Sequence, residues 1–208
     1  MYWIVFLNGY LKSNNMLLYA TGTKDKAFKD STWEMSVNEV ERASDKQLIE
    51  AKGFSCYFAS IEFESVKQRV LCYQDDDVYL FGTKGEVVYV FFDNRLFKYE
   101  LSIPVYGYSD VSKLLEQLEQ RFGEEFSQEI NPNPYKEHTQ NYIREWSTEK
   151  QKVKFNLNLP SKHQLQDKDY EFEGKENSDS ARVYLEVTYL PMLRKIQDEI
   201  EVEESSYF

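Results

Sequence analysis

The tract Glu86–Phe92 reads EVVYVFF, apolar at odd and even positions alike. Side chains of a strand alternate between faces, so such a tract has to be covered on both sides. It therefore predicts a central strand of a sheet. Asp93-Asn94-Arg95 follows as a tight turn, with Asn94 able to take left-handed backbone. Leu96–Val105 then returns as the partner strand, and a short hairpin turn implies antiparallel pairing.

Further strands are predicted at Phe54–Phe63, Val70–Tyr73 and Val78–Phe81, with Asp75-Asp76-Asp77 as an acidic turn between the last two and Thr83-Lys84-Gly85 as another. Ser36 and Glu39 have capping-box spacing, and Met35 and Val40 stand where a hydrophobic staple belongs. A second box, Ser44 to Gln47, predicts a short helix ending at Gly53. Asp110–Gly123 carries Val111, Leu114, Leu115, Leu118 and Phe122 in one stripe, with Gly123 as its left-handed terminator. Asn131–Pro134 reads as a connection. Strands resume at Gln140–Trp146, Lys152–Leu159 and Arg182–Tyr189, and Ser161–Ser180 reads as a polar surface insertion. Pro191 opens a final helix bearing Leu193, Ile196 and Ile200.

The order predicts an α+β fold: an antiparallel β-meander sheet with helices packed on one face, arranged as two tandem helix-plus-strands units. The expected division is residues 1–27 as a leading segment, 28–204 as one domain with units at 33–105 and 109–204, and 205–208 as a tail. Met1–Ala20 reads as two short strands, because Asn8-Gly9 stops its first apolar run and no basic residue precedes Leu11. A degenerate export signal is the competing reading. No apolar run approaches the roughly 20 residues of a membrane span.

The formal net charge is -11, which disfavours a phosphate-backbone partner such as nucleic acid. That acidity is concentrated in Glu116–Glu129, Asp167–Asp179 and Asp198–Glu204, leaving the expected sheet close to neutral. Lys150, Lys152 and Lys154 alternate along one strand with Arg144 nearby, making a basic stripe that is the candidate partner-binding site. A solvated sheet face explains the same stripe, since edge lysines also guard against aggregation.

Cys56 and Cys72 are the only cysteines. If Phe54–Phe63 and Gln68–Tyr73 form a hairpin, the two fall near opposite positions and could pair, although adjacent buried thiols fit equally well. His138 and His163 lack a second ligand at helical or strand spacing, so the residues predict neither a zinc site nor a catalytic pair. Asp75–Asp77 lacks the Gly and the distal Glu of a calcium loop and runs straight into Val78, which favours a solvated turn over a cation site. No glycine-rich phosphate loop precedes a helix, and no cofactor is expected.

Trp33-Glu34-Met35-Ser36 with Glu39-Val40, Leu80-Phe81-Gly82, Val88–Phe92 and Arg95-Leu96-Phe97 form an ordered series. Leu114–Leu118 with Arg121-Phe122-Gly123, Trp146, Val153-Lys154-Phe155 and Val187–Leu190 continue it. Together they resemble a group of uncharacterised bacterial α+β proteins, many exported or lipid-anchored, with a Trp-Gly-Met-Ser-type helix start. The resemblance implies tandem helix-plus-meander units like those of beta-lactamase-inhibitor-type and outer-membrane assembly lipoprotein domains. It implies no catalytic residues, and an envelope or periplasmic location; a genuine N-terminus would instead place the chain in the cytoplasm. Glu34 stands where that group usually has Gly.

The expected function is a non-catalytic protein- or peptide-binding module of the bacterial envelope, acting as a monomer or weak homodimer through its sheet. A small apolar-ligand carrier and a thiol-dependent enzyme using Cys56 or Cys72 are the alternatives.

Overall fold

The computed structural model describes residues 27–28, 30–51, 68–80, 83–105, 108–123, 127–132, 139–160 and 182–205. Met1–Ala20, Phe54–Phe63 with Cys56, both histidines and Ser161–Ser180 lie outside them. Among the described residues the elements run α1 (Val37–Ser44), β1 (Ile49–Glu50), β2 (Val70–Leu80), β3 (Thr83–Phe92), β4 (Arg95–Pro104), α2 (Tyr108–Phe122), β5 (Ser127–Pro132), β6 (Thr139–Ser147), β7 (Gln151–Pro160), β8 (Arg182–Tyr189) and α3 (Leu190–Ser205). The strands form one sheet in the order β1-β2-β3-β4-β8-β7-β6-β5. Every neighbouring pair is antiparallel. The class is α+β, as the strand and helix patterns predict.

Two meanders meet at one junction: β4 pairs with β8 from Lys98↔Thr188 to Pro104↔Arg182. The β3–β4 hairpin turns on Asp93 and Asn94, both left-handed at φ 49° and 60°. That geometry matches the twist of the flanking strands, and Asn tolerates it well. The Asn94 carboxamide oxygen also accepts a hydrogen bond from the Val37 amide at 3.2 Å, tying the turn to the start of α1.

β3 is covered on both sides. Val87, Tyr89 and Phe91 join one core cluster with Tyr99, Leu101 and Ile103 of β4, Val153, Phe155 and Leu157 of β7, and Val183, Leu185 and Val187 of β8. Val40 of α1 and Val111, Leu114, Leu115 and Leu118 of α2 close this first face. Val88, Val90 and Phe92 join a second cluster with Cys72, Phe97, and Met192 and Ile196 of α3. The expectation of helices on one face is thus corrected, because α3 lies on the other. The reason is connectivity: β8 passes into α3 with no intervening loop, and the second apolar face of β3 needs a cover. A bulge in the β3–β4 ladder leaves Phe97 unpaired between Leu96 and Lys98. Phe97 consequently joins the second cluster while Leu96 and Tyr99 join the first.

Other boundaries shift for local reasons. No helix forms from Ser44: its hydroxyl donates back to the Glu41 carbonyl at 3.2 Å, and Asp45 turns left-handed at φ 53° to end α1. The Leu48 amide then donates to the Glu41 carboxylate at 2.9 Å, and the chain enters β1. Asp75–Asp77 is not a turn between strands but lies inside β2, where the register shifts between Asp75 and Val78. β5 forms across the acidic stretch and the start of the Asn- and Pro-rich connection, so part of that segment is an edge strand. α2 begins at Tyr108, two residues before Asp110, and Gly123 ends it at φ 84°.

The segment before α1 is stitched to β4. The Glu34 amide donates to the Leu96 carbonyl at 2.9 Å, and the Leu96 amide donates to the Met35 carbonyl at 2.8 Å. These bonds carry Trp33 into the core, where its ring stacks on Tyr99 and Tyr189 at 5.9 and 5.4 Å. Glu34 pays a backbone cost there, at φ 67°. Left-handed backbone costs a non-glycine residue about 1 kcal/mol, and a β-branched one more. Glu34→Gly should therefore be at least as stable as the parent in urea unfolding, and Glu34→Val about 1–2 kcal/mol less stable. Equal stability of all three would show that the backbone at 34 is unstrained.

Candidate functional site

The second sheet face changes character along the strand order. Under α3 it is apolar: Cys72, Val88, Val90, Phe92 and Phe97. On β4, β8, β7 and β6 it is mostly polar, because the positions alternating with the first core, Ile143 apart, carry charged, amide or hydroxyl groups. Register aligns them in rows. One row is Glu145, Lys154, Glu186 and Glu100; the next is Ser147, Lys152, Thr188 and Lys98. On the other side of the first row lie Ile143, Asn156, Tyr184 and Ser102, followed by Asn158 and Arg182.

Glu100 and Glu186 stand directly opposite each other across the β4–β8 junction. Like charges so placed repel. Lys98 resolves the conflict: its ammonium lies 2.7 Å from Glu100 Oε1 and 3.1 Å from Glu186 Oε2, with its side chain only 7% exposed. Burial nevertheless pushes the Glu100 carboxyl above its ordinary range; Lys98 pulls it back and Glu186 adds to the rise. Toward β6, one carboxylate serves two cations, with Glu145 at 3.1 Å from the Lys152 ammonium and 3.9 Å from that of Lys154. Arg182 donates through Nε and Nη2 to the Ser102 hydroxyl at 3.1 and 2.9 Å. It has no carboxylate partner among the described residues. Tyr184 is 42% exposed in the adjoining row.

The basic stripe is only partly assembled. Lys152 and Lys154 share this polar face, and Lys150 sits exposed in the β6–β7 turn, where its carbonyl accepts from the Leu190 amide at 2.8 Å. Arg144 is not with them. It pairs in register with Phe155, on the first face, and its Nη1 meets Glu119 of α2 at 2.7 Å. Its guanidinium also lies 5.1 Å from the Tyr142 ring centre. Proximity in sequence misled here because neighbouring strand residues point to opposite faces. The sequence reading missed Lys98, Glu100, Glu145, Arg182, Tyr184 and Glu186. The polar positions of β8 alternate visibly, but their partners depend on which strand lies alongside.

The remaining candidates are structural in their contacts. Lys46 places its ammonium 3.0 and 2.9 Å from the two Asp75 oxygens and 2.7 Å from the Asp77 carbonyl. A lysine thus stands where the sequence invites a metal ion, and it pins the β2 bulge. Lys84 adds a contact to Asp77 at 3.3 Å. Among the described residues no group of three or more His, Cys, Asp or Glu is placed to hold a metal ion. Cys72 is buried in the second cluster and is disulfide-bonded, so it presents no thiolate. No helix of the described residues is long and apolar enough to cross a membrane. Set beside known protein families, curated proteins and solved structures, the chain matches none.

Removing the clamp on β2 tests its role. Lys46→Met should cost about 1–3 kcal/mol, because it leaves the buried Asp75 carboxylate without its cation. Millimolar calcium should leave the parent melting temperature unchanged; a calcium-induced rise would overturn the assignment of this position to Lys46.

The charged row gives a pH signature. A carboxyl held above its unfolded value binds its proton more tightly in the native state. Its stabilising contribution is complete below the ordinary value of 4.5 and is lost as pH rises through the raised one. Glu100→Gln removes that loss, so the stability of the variant relative to the parent should climb from pH 4 to pH 7. A pH-independent difference would show that Glu100 titrates as in the unfolded chain. Lys98→Met should cost about 2–4 kcal/mol at pH 7 by leaving two facing carboxylates uncompensated.

Proposed function

We propose that this chain is a non-catalytic interaction module that binds a protein or peptide through the polar half of its second sheet face. The observation that carries this reading is the division of one face into two halves. α3 covers the apolar half, whereas Lys152, Lys154 and Tyr184 on the other half remain 48%, 42% and 42% exposed. An exposed tyrosine among oriented charges is suited to recognition, since Tyr contributes contact area at low entropic cost while charges set orientation. The resemblance to exported bacterial proteins supports an envelope location as part of the same proposal.

The test is partner retention with a folded control. Tagged parent and a Tyr184→Ala/Lys154→Ala variant, both expressed in the native host, should melt within about 1 kcal/mol of each other. The parent should retain a stoichiometric partner that the variant loses. Equal retention by both, or a parent that stays a strict monomer with nothing bound, would count against the surface.

A further inference from the structure

The chemistry of the partner can be taken further, on the reading that the polar face is the binding surface. The chain carries a net charge of -11, yet this face holds Lys98, Lys152, Lys154 and Arg182 against Glu100, Glu145 and Glu186, a local excess of one cation. Most of the acids are recessed. Lys98 and Glu100 have 7% and 20% side-chain exposure and Glu145 has 20%, whereas Glu186, opposite Lys154 in register, is the exposed acid of the face at 38%. The outermost groups on β7 are the ammonium groups of Lys152 and Lys154, which share that one recessed carboxylate. At the far end of the face Arg182 spends two N–H groups on a neutral hydroxyl and none on an acid among the described residues. A guanidinium in this state is suited to a carboxylate from outside.

The geometry points to an acidic, extended peptide segment of a partner protein as the occupant. Arg182, Tyr184, Lys154 and Lys152 occupy four successive rows along the adjacent strands β8 and β7. Three two-residue steps at strand rise span about 20 Å, the length of a peptide of about seven residues. An extended chain presents alternate side chains on one side. Its first residue would meet Arg182, its third Tyr184, its fifth Lys154 and its seventh Lys152. The complementary sequence is therefore an acid, an aromatic, an acid and an acid at every second position.

The probe is a fluorescein-labelled peptide, Glu-Ser-Phe-Ser-Glu-Ser-Glu, with a counterpart in which every Glu is Gln. Both are titrated into the full chain, read by anisotropy and by amide chemical shifts. The acidic peptide should move β7 and β8 amides on the polar face and bind on the order of tenfold tighter than its Gln counterpart, with the difference shrinking as salt rises. Arg182→Gln should weaken it by about tenfold. Glu145→Gln, which releases Lys152 and Lys154 from their shared carboxylate, should tighten it; a merely structural role for Glu145 would not produce that gain. Equal binding of the two peptides at this face would overturn the acidic specificity while leaving the docking surface standing. Shifts confined to other faces, or none with either peptide, would overturn the inference and leave the partner-retention experiment to judge the surface by itself. Tighter engagement of the same residues by anionic phospholipid vesicles than by the peptide would also overturn it.

Discussion

The pairing of β4 with β8 is the contact on which the rest of the architecture depends. It joins the β2–β3–β4 meander to the β5–β8 meander through backbone hydrogen bonds, from Lys98↔Thr188 to Pro104↔Arg182. It makes one sheet and hence one continuous first core, running from Tyr89 and Tyr99 through Val187 to Phe155 and Trp146. It also forces Glu100 and Glu186 to face each other, and the structure answers with Lys98 between them. A buried charge cluster of this kind is weak as a source of stability, since desolvation offsets most of the attraction. It bears on registry instead: slipping β8 by one residue would turn Glu186 into the core and Val187 out of it.

The first face is filled and apolar, closed by α1 and α2. The second face is divided, and that division places the candidate site. α3 is tied over the apolar half at one end of the sheet: Arg69 meets Asp93 at the β3–β4 turn and Glu199 of α3 at 2.6 Å, with its guanidinium 4.3 Å from the Phe92 ring centre. Asp93 and Glu199 hold the Arg69 proton more tightly still, and the hydrogen bond from Arg69 holds Asp93 below its usual range. The helix is thereby kept on one half, and Lys152, Lys154, Tyr184 and Glu186 on the other half stay exposed.

Much of the fold was legible because strand and helix periods are written directly in the side chains. EVVYVFF announced a strand buried on both faces, the Val111–Phe122 stripe a helix, and the Asp93-Asn94 pair a left-handed turn. What failed did so for identifiable reasons. Ser44 to Gln47 has a helix-opening spacing, yet the Ser44 hydroxyl is used backwards to close α1. Three consecutive aspartates looked like a turn, yet the ammonium of Lys46, 29 residues away, stabilises them inside a strand. The basic stripe was read along the chain, and alternation sent Arg144 to the opposite face from Lys152 and Lys154.

The sequence by itself determined most of the element types, the antiparallel class and the two-sided burial of β3, because these follow from local periodicity and turn chemistry. Only the tertiary structure decided that β8 lies beside β4, and with it which charges meet. Register is a long-range property: Glu100 and Glu186 are 86 positions apart, and nothing near either residue specifies the other. The charged row that forms the candidate site exists only because strands distant in sequence are hydrogen-bonded side by side.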